Sequence, residues 1–270
     1  MKNYLNFNGK LIPETAIKLE STNRGFLFGD GFFETLRVKR GKALYFKDHF
    51  QRLTAGMALA KLKFTEEFTE SSLQNAVQEI ATANNLEDAR IKLLVWRKPG
   101  GLFIPEKQEA EFLISATGFK KAIPFKNTVV FAKSVFNTAS VFSRFKTLST
   151  LKYIAAAIEL QELEADEIII TDTKGNISEC LSSNIFWIRA DVLYTPSLET
   201  GCIEGIMRKK LLSFYEKKRN KEVKEGLFGK DVLLSADTVF SSNITGISIF
   251  KSIENTVLPK AILPEELRTL

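Results

Sequence analysis

Histidine is nearly absent from this chain of 270 residues: His49 is the only one. Catalytic triads built on histidine and histidine-rich metal sites therefore have almost nothing to work with. Cysteine is scarce too. Cys180 and Cys202 stand in no metal-ligand spacing, and a core affordable at this length needs no disulfide or metal staple. No apolar run approaches a membrane span, and the N-terminus MKNYLNFNGK lacks the apolar stretch and cleavage pattern of a signal peptide. A reducing, cytoplasmic setting is expected. A large charge of one sign is missing as well. The formal net charge of +6 is spread out, so runs such as Glu216-Lys217-Lys218-Arg219 read as solvated helix faces rather than a nucleic-acid surface. What remains is ordinary globular composition, 44% hydrophobic and 26% charged, enough for one large domain or two medium ones. Acid–base work must fall to Lys, Glu, Asp or Tyr, which points toward a cofactor.

Along the chain, 4–12 reads as a hairpin turning at Asn8-Gly9. A second hairpin follows, with Phe32, Glu34, Leu36 and Val38 alternating against Phe33, Thr35 and Arg37 before a turn at Lys39-Arg40-Gly41. The preceding Phe28-Gly29-Asp30-Gly31 suits backbone passing close to something bulky; a plain loop is the simpler reading. Helical spacing marks 47–62, with Asp48 as cap and Arg52 near its first turns, and 68–84 gives another helix. In the strand 89–97, Ile91, Leu93 and Val95 share one face and Arg90, Lys92, Leu94 and Trp96 the other. Two bases beside a tryptophan fit a cavity lining and a half-exposed face equally well.

Turn formers and charge at 118–127 place a boundary between domains 1–118 and 127–270, with 119–126 as linker. Beyond it come a strand at 128–132, a loop to Lys146, and a helix whose residues Leu148, Leu151, Ile154, Ala155 and Ile158 share one face. The buried strand EIIIT, a turn at Lys174-Gly175-Asn176, the segment ISECLSSN and a hairpin through 185–196 complete the central stretch. Gly205-Ile206-Met207-Arg208 opens a further helix, and strands flank Ser242-Asn243 near the end.

Four fragments fall in one order: RGFLFGDGFFETLR at 24–37 with HFQRL at 49–53, Lys146, ISECLSSNIF at 177–186, and GIMR at 205–208. Together they resemble the fold-type IV pyridoxal-phosphate enzymes, which include branched-chain aminotransferases, D-amino-acid aminotransferases and 4-amino-4-deoxychorismate lyases. The resemblance runs from about residue 7 to 253. It implies an α+β fold of two domains, a small α/β N-terminal one and a larger β-rich C-terminal one. It also implies pyridoxal 5′-phosphate as cofactor, a homodimer, and a small amino substrate, with no metal, nucleic acid or membrane.

Residue by residue, Lys146 matches the lysine that forms a Schiff base with the cofactor and then serves as base. Glu179 matches the carboxylate that keeps the cofactor ring nitrogen protonated. Arg52 matches the phosphate-binding arginine; Ile206 and Met207 at a helix start, and Asn243 and Ile244, match the other phosphate-side segments. Lys152, the rival lysine, reads as solvated, and Asn184 as organising its loop. The form of 28–53 and the basic strand 89–97 favour the lyase, with Phe28, Arg90 and Lys92 toward the substrate. The loop GGLFIP and Ser149 depart from the family's forms, and the Arg-x-His pair of D-amino-acid enzymes is missing. The lyase reaction yields 4-aminobenzoate and pyruvate. A class IV aminotransferase and a non-catalytic cofactor-binding scaffold are the alternatives.

Overall fold

The computed structural model describes residues 3–66, 68–259 and 263–268. Its backbone divides into two compact units, residues 1–120 with 145–149, and residues 121–144 with 150–270.

The first unit is a six-stranded antiparallel sheet with two long helices on one face. Its elements are β1 (Tyr4–Phe7), β2 (Lys10–Pro13), α1 (Arg24–Phe28), β3 (Gly31–Lys39), β4 (Lys42–Ala43), α2 (Phe46–Leu59), α3 (Glu70–Ala83), β5 (Asp88–Arg97) and β6 (Ala110–Gly118). The strand order is β2-β1-β6-β5-β3-β4. Both hairpin turns use left-handed backbone, at Asn8 and Gly9 and at Arg40 and Gly41, which matches the twist of the flanking strands. The alternation of β3 and β5 sends Phe32, Leu36, Val38, Ile91, Leu93 and Val95 into one core with Leu53 and Met57 of α2 and Leu73, Val77 and Ile80 of α3. Helix α1 is not among the expected elements; Asn23 caps it, its side chain accepting from the Phe26 amide. Thr69 and Ser72 cap α3 reciprocally, a device worth about 1 kcal/mol. The expected cap of α2 is not formed: Tyr45 occupies that position in left-handed backbone, and Asp48 lies inside the first turn.

Residues 145–149 are strapped to this sheet. The Phe33 amide donates to the Lys146 carbonyl (2.8 Å), and the Leu148 amide donates to the Gly31 carbonyl (3.0 Å). Phe145 enters the first unit's core, edge-on to Phe32. Gly31 makes room for the strap: a Cβ there would stand 2.1 Å from the Val95 carbonyl oxygen and 2.8 Å from Leu148. The close approach read from the Gly-Asp-Gly run thus has a named partner.

The second unit stacks two sheets, with helices outside. Its elements are β7 (Phe125–Lys126), β8 (Val129–Phe131), α4 (Leu151–Glu162), β9 (Glu167–Thr171), β10 (Ile177–Cys180), β11 (Asn184–Arg189), β12 (Val192–Pro196), α5 (Ile206–Lys217), β13 (Val223–Gly226), β14 (Thr238–Asn243), β15 (Gly246–Phe250), β16 (Ser252–Ile253), β17 (Thr256–Val257) and α6 (Glu265–Arg268). One sheet runs β10-β9-β8-β16-β17, the other β13-β12-β11-β14-β15-β7. Val129, Ile169 and Ile177 of one meet Ile185, Trp187, Val239 and Phe250 of the other. Phe186 and Phe240 face α5, and Ile168 and Ile170 face Ala156 of α4. Strands buried on both faces lose their alternation, which is why EIIIT and IFWI read as unbroken apolar runs.

Two details depart from expectation here. Phe125 and Lys126, placed in the linker, pair with β15 as an edge strand. Helix α4 starts at Leu151, so Leu148 precedes it, and its stripe of Leu151, Ile154 and Ile158 is turned outward while Ala156 faces the sheet.

Candidate functional site

In the first unit the strap sets Lys146 beside β3. Its Nζ lies 5.2 Å from the centre of the Phe33 ring, and Lys92 Nζ lies 4.4 Å from the same ring. Lys92 is opposite Thr35 in the β3–β5 register, and Arg90 is opposite Arg37, so the two bases lie on the sheet face away from the helices. Burial, and secondarily the Arg90 charge, hold the Lys92 ammonium below the usual lysine range. Arg90 itself is exposed. Phe28 is not gathered with these lysines by any described contact. It packs on Phe103, 5.7 Å between ring centres, under the Arg24 guanidinium. With Arg24, Asp30, Lys61 and Arg97 it lines a separate depression of about 600 Å³.

Arg52, on α2, is buried against the core-facing side of β3. Its Nε donates to Glu34 Oε1 at 2.8 Å, and its Nη2 donates to Glu34 Oε2. His49 Nδ1 stands 2.7 Å from that same oxygen. One turn of α2 carries both partners, since His49 and Arg52 are three residues apart. Burial alone would raise the Glu34 carboxyl, but Arg52 and His49 together outweigh it and hold it down at about 2. Among the described residues His49 Nε2 has no hydrogen-bond partner. Glu34 and His49 were not read as site residues. The signal was available: a carboxylate in line with Phe32, Leu36 and Val38 on a core face requires a buried cation.

In the second unit Glu179 is 2% exposed and holds three donors. Asn137 Nδ2 (2.9 Å) and the Tyr153 hydroxyl (2.7 Å) donate to Oε1, and the Ile203 amide (3.0 Å) donates to Oε2. A carboxylate has about four acceptor sites, so Oε2 can take one more donor. Burial, and then the Glu179 charge, push the Tyr153 phenol far above its ordinary range, so it remains a donor. Lys152 is not solvated as expected. It is half-buried, with Nζ donating to Asn137 Oδ1 at 2.6 Å. Asn137 carried no signal; it lies in an irregular loop outside every motif.

Helix α5 begins at Ile206 behind Gly205, with no side chain capping it, so its first amides have no partner within the helix. Gly205 is required there: a Cβ would fall 2.0 Å from Asn184 Oδ1. Asn184 Nδ2 donates to the Ile203 carbonyl at 2.8 Å, so its side chain ties down the segment ahead of α5 rather than its own loop. Ser242 Oγ is buried and has no partner among the described residues. Asn243 does not offer its side chain. Its Oδ1 accepts from the Thr245 amide and hydroxyl, and its Nδ2 donates to Ser182 O and Ser183 Oγ, so only its backbone and that of Ile244 remain for a ligand. An uncapped helix start and an orphaned buried hydroxyl fit a phosphate; Glu179 with an acceptor to spare fits a protonated ring nitrogen. Among the described residues no group of His, Cys, Asp and Glu side chains is placed to hold a metal, and no helix is long and apolar enough to cross a membrane.

A family model described as Amino-transferase class IV matches residues 31–253. The D-alanine aminotransferase of Bacillus licheniformis is 28% identical, over 88% of this chain and 84% of its own. The aminodeoxychorismate lyase of Bacillus subtilis is 25% identical, over 92% and 85%. Among solved structures, the branched-chain aminotransferase of Thermoproteus uzoniensis with norvaline superposes with a TM-score of 0.90 at 24% identity, covering 100% of this chain and 93% of that one. That likeness establishes the fold, a mixed α/β arrangement rich in strand.

Proposed function

We propose, from the premise that this chain belongs to the amino-transferase class IV family and is a pyridoxal 5′-phosphate enzyme, that it converts 4-amino-4-deoxychorismate to 4-aminobenzoate and pyruvate. The observation that carries this reading is the basic sheet face, where Lys146 and Lys92 approach one phenyl ring. A substrate with one carboxylate on its ring and a second on its enolpyruvyl side chain suits a surface offering Lys92, Arg90 and Phe33.

In this reading the cofactor, when bound, supplies an electron sink for the carbon bearing the substrate amine. Lys146 would hold the cofactor through Nζ and, once free, would take the proton from the substrate carbon at that same atom. Glu179, with an acceptor site to spare on Oε2, would hold the ring nitrogen of the cofactor. Its three protein donors fix the carboxylate in direction. Of the residues assigned to the phosphate, Arg52 in the first unit is aimed by the fork of Glu34. In the second unit Ile206 and Met207 would offer helix-start amides, with Ser242 Oγ and the backbone of Asn243 and Ile244. Lys92 and Arg90 orient substrate carboxylates; Phe28 is assigned to the substrate on the resemblance alone.

The experiment is product identification. Supplied with aminodeoxychorismate, the holoenzyme should release 4-aminobenzoate and pyruvate in equal amounts. A second reading, an aminotransferase, is favoured by the D-alanine aminotransferase relative, whose identity slightly exceeds that of the lyase. Exchange of amino groups between an amino acid and a keto acid, with no 4-aminobenzoate formed, would establish that reading in place of the lyase. A homodimer in a reducing cytoplasm completes the proposal. Leu151, Ile154 and Ile158, all exposed along α4, are suited to meet a second copy, and Cys180 and Cys202 are both free and buried.

A further inference from the structure

Resting on the assignment of Glu179 to the cofactor ring nitrogen, we infer that Lys152 and Asn137 form a charged relay behind Glu179 that sets how firmly this carboxylate holds the protonated ring, which makes Lys152 a positioning residue.

The direction of every bond in the relay is fixed by chemistry. An ammonium can only donate, so the Asn137 oxygen must face Lys152 Nζ, at 2.6 Å. The Asn137 amide nitrogen is then turned the other way, donating to Ser178 Oγ at 2.7 Å and Glu179 Oε1 at 2.9 Å. Ser178 passes its own proton to the Thr200 carbonyl at 3.2 Å, so it accepts from Asn137 without ambiguity. A neutral side chain in place of Lys152 would let the amide flip, presenting an oxygen to the Glu179 carboxylate.

Position in the chain couples the relay to a second donor. Lys152 and Tyr153 are neighbours in the first turn of α4, and the Tyr153 hydroxyl donates to the same Oε1. One helix turn therefore delivers a cation, through Asn137, and a phenol, directly, to one carboxylate oxygen. Charge-assisted chains of this kind polarise along their length and strengthen the last bond, the one to the carboxylate. The ionisable groups facing Lys152 are Glu179, Cys202 and Tyr153, whose ring centre lies 4.7 Å from Nζ. Burial lowers the Lys152 ammonium from its usual range, and the Glu179 charge opposes that shift. Cys202 is itself raised to about 11 by burial and by Glu179, so near neutrality it brings no charge to compete with Glu179 for the ammonium.

The test uses the holoenzyme and two readouts besides turnover: the pH midpoint of the cofactor's visible absorbance, and the cofactor dissociation constant. Lys152→Met should move the midpoint up by about one pH unit, because a less firmly protonated ring withdraws fewer electrons, and weaken cofactor binding about tenfold. Lys152→Arg, which keeps charge and donors, should stay within a few tenths of a unit of the parent, to about 0.3. A merely structural lysine would lower the melting temperature of the cofactor-free protein and leave the midpoint in place; that result overturns the inference. Lys152→Gln serves as the neutral variant if the methionine does not fold. Glu179→Gln separates the two levels of the argument. If it shifts both readouts while Lys152→Met shifts neither, the relay is wrong and Glu179 stands. If Glu179→Gln also shifts neither, the assignment of Glu179 falls.

Discussion

Removing the Glu34 carboxylate is the perturbation with the best-defined energetics. Glu34 is 1% exposed and is the shared acceptor for Arg52 and His49. Its carboxyl is held at about 2 against an ordinary 4.5, chiefly because the charges and bonds of Arg52 and His49 overcome the burial that opposes them. A depressed carboxyl contributes stability that is present above its unfolded value and lost as pH falls toward its folded value. The difference of about 2.5 pH units corresponds to about 3 kcal/mol, at 1.36 kcal/mol per unit. Losing one partner of a buried ion pair costs a similar amount, about 3–5 kcal/mol, because Arg52 is left charged and unpaired. Glu34→Gln should therefore lose about 3 kcal/mol at pH 7, measured by urea denaturation. The gap between parent and variant should narrow steadily from pH 4.5 toward pH 2. A variant within 1 kcal/mol of the parent at pH 7, or a gap that does not change with pH, would refute the reasoning.

Other outcomes follow from the same geometry. Lys92→Met should raise KM for a carboxylated substrate about tenfold with kcat little changed, the signature of lost ground-state binding; an equal fall in kcat would place Lys92 in the chemistry instead. Gly31→Ala should destabilise the first unit by several kcal/mol and release the 145–149 strap, seen as faster amide exchange at Phe33 and Leu148, because the Val95 carbonyl has nowhere to go. Paired substitutions Leu151→Glu and Ile154→Glu should convert a dimer to a monomer in light scattering while leaving far-UV circular dichroism intact; an unchanged mass would exclude the α4 stripe as the interface.

The sheet of the first unit was legible because its alternation is clean. Phe32, Glu34, Leu36 and Val38 were placed on one face by period alone, and they share it. What period cannot say is what meets that face, so the Glu34 partnership with α2 went unread. Helix α4 shows the same limit. The stripe of Leu151, Ile154 and Ile158 was visible, yet only packing reveals that it points outward and that Ala156 is the inward residue. Lys152 was misjudged for a related reason. It lies one position past a stripe that reads as the buried face; that stripe is exposed, so its neighbour turns inward, and Asn137, its partner, sits in a loop with no pattern. The strap at 145–149 is non-local, made by hydrogen bonds to strand β3 more than a hundred residues earlier, a separation far beyond any local pattern.

The direct test is to reduce the holoenzyme with borohydride, digest it, and identify the lysine that carries the phosphopyridoxyl group. The account predicts label on the peptide containing Lys146 and no label after Lys146→Ala. Label on Lys92 or Lys152 in the parent protein, or no stable label at all, would contradict it.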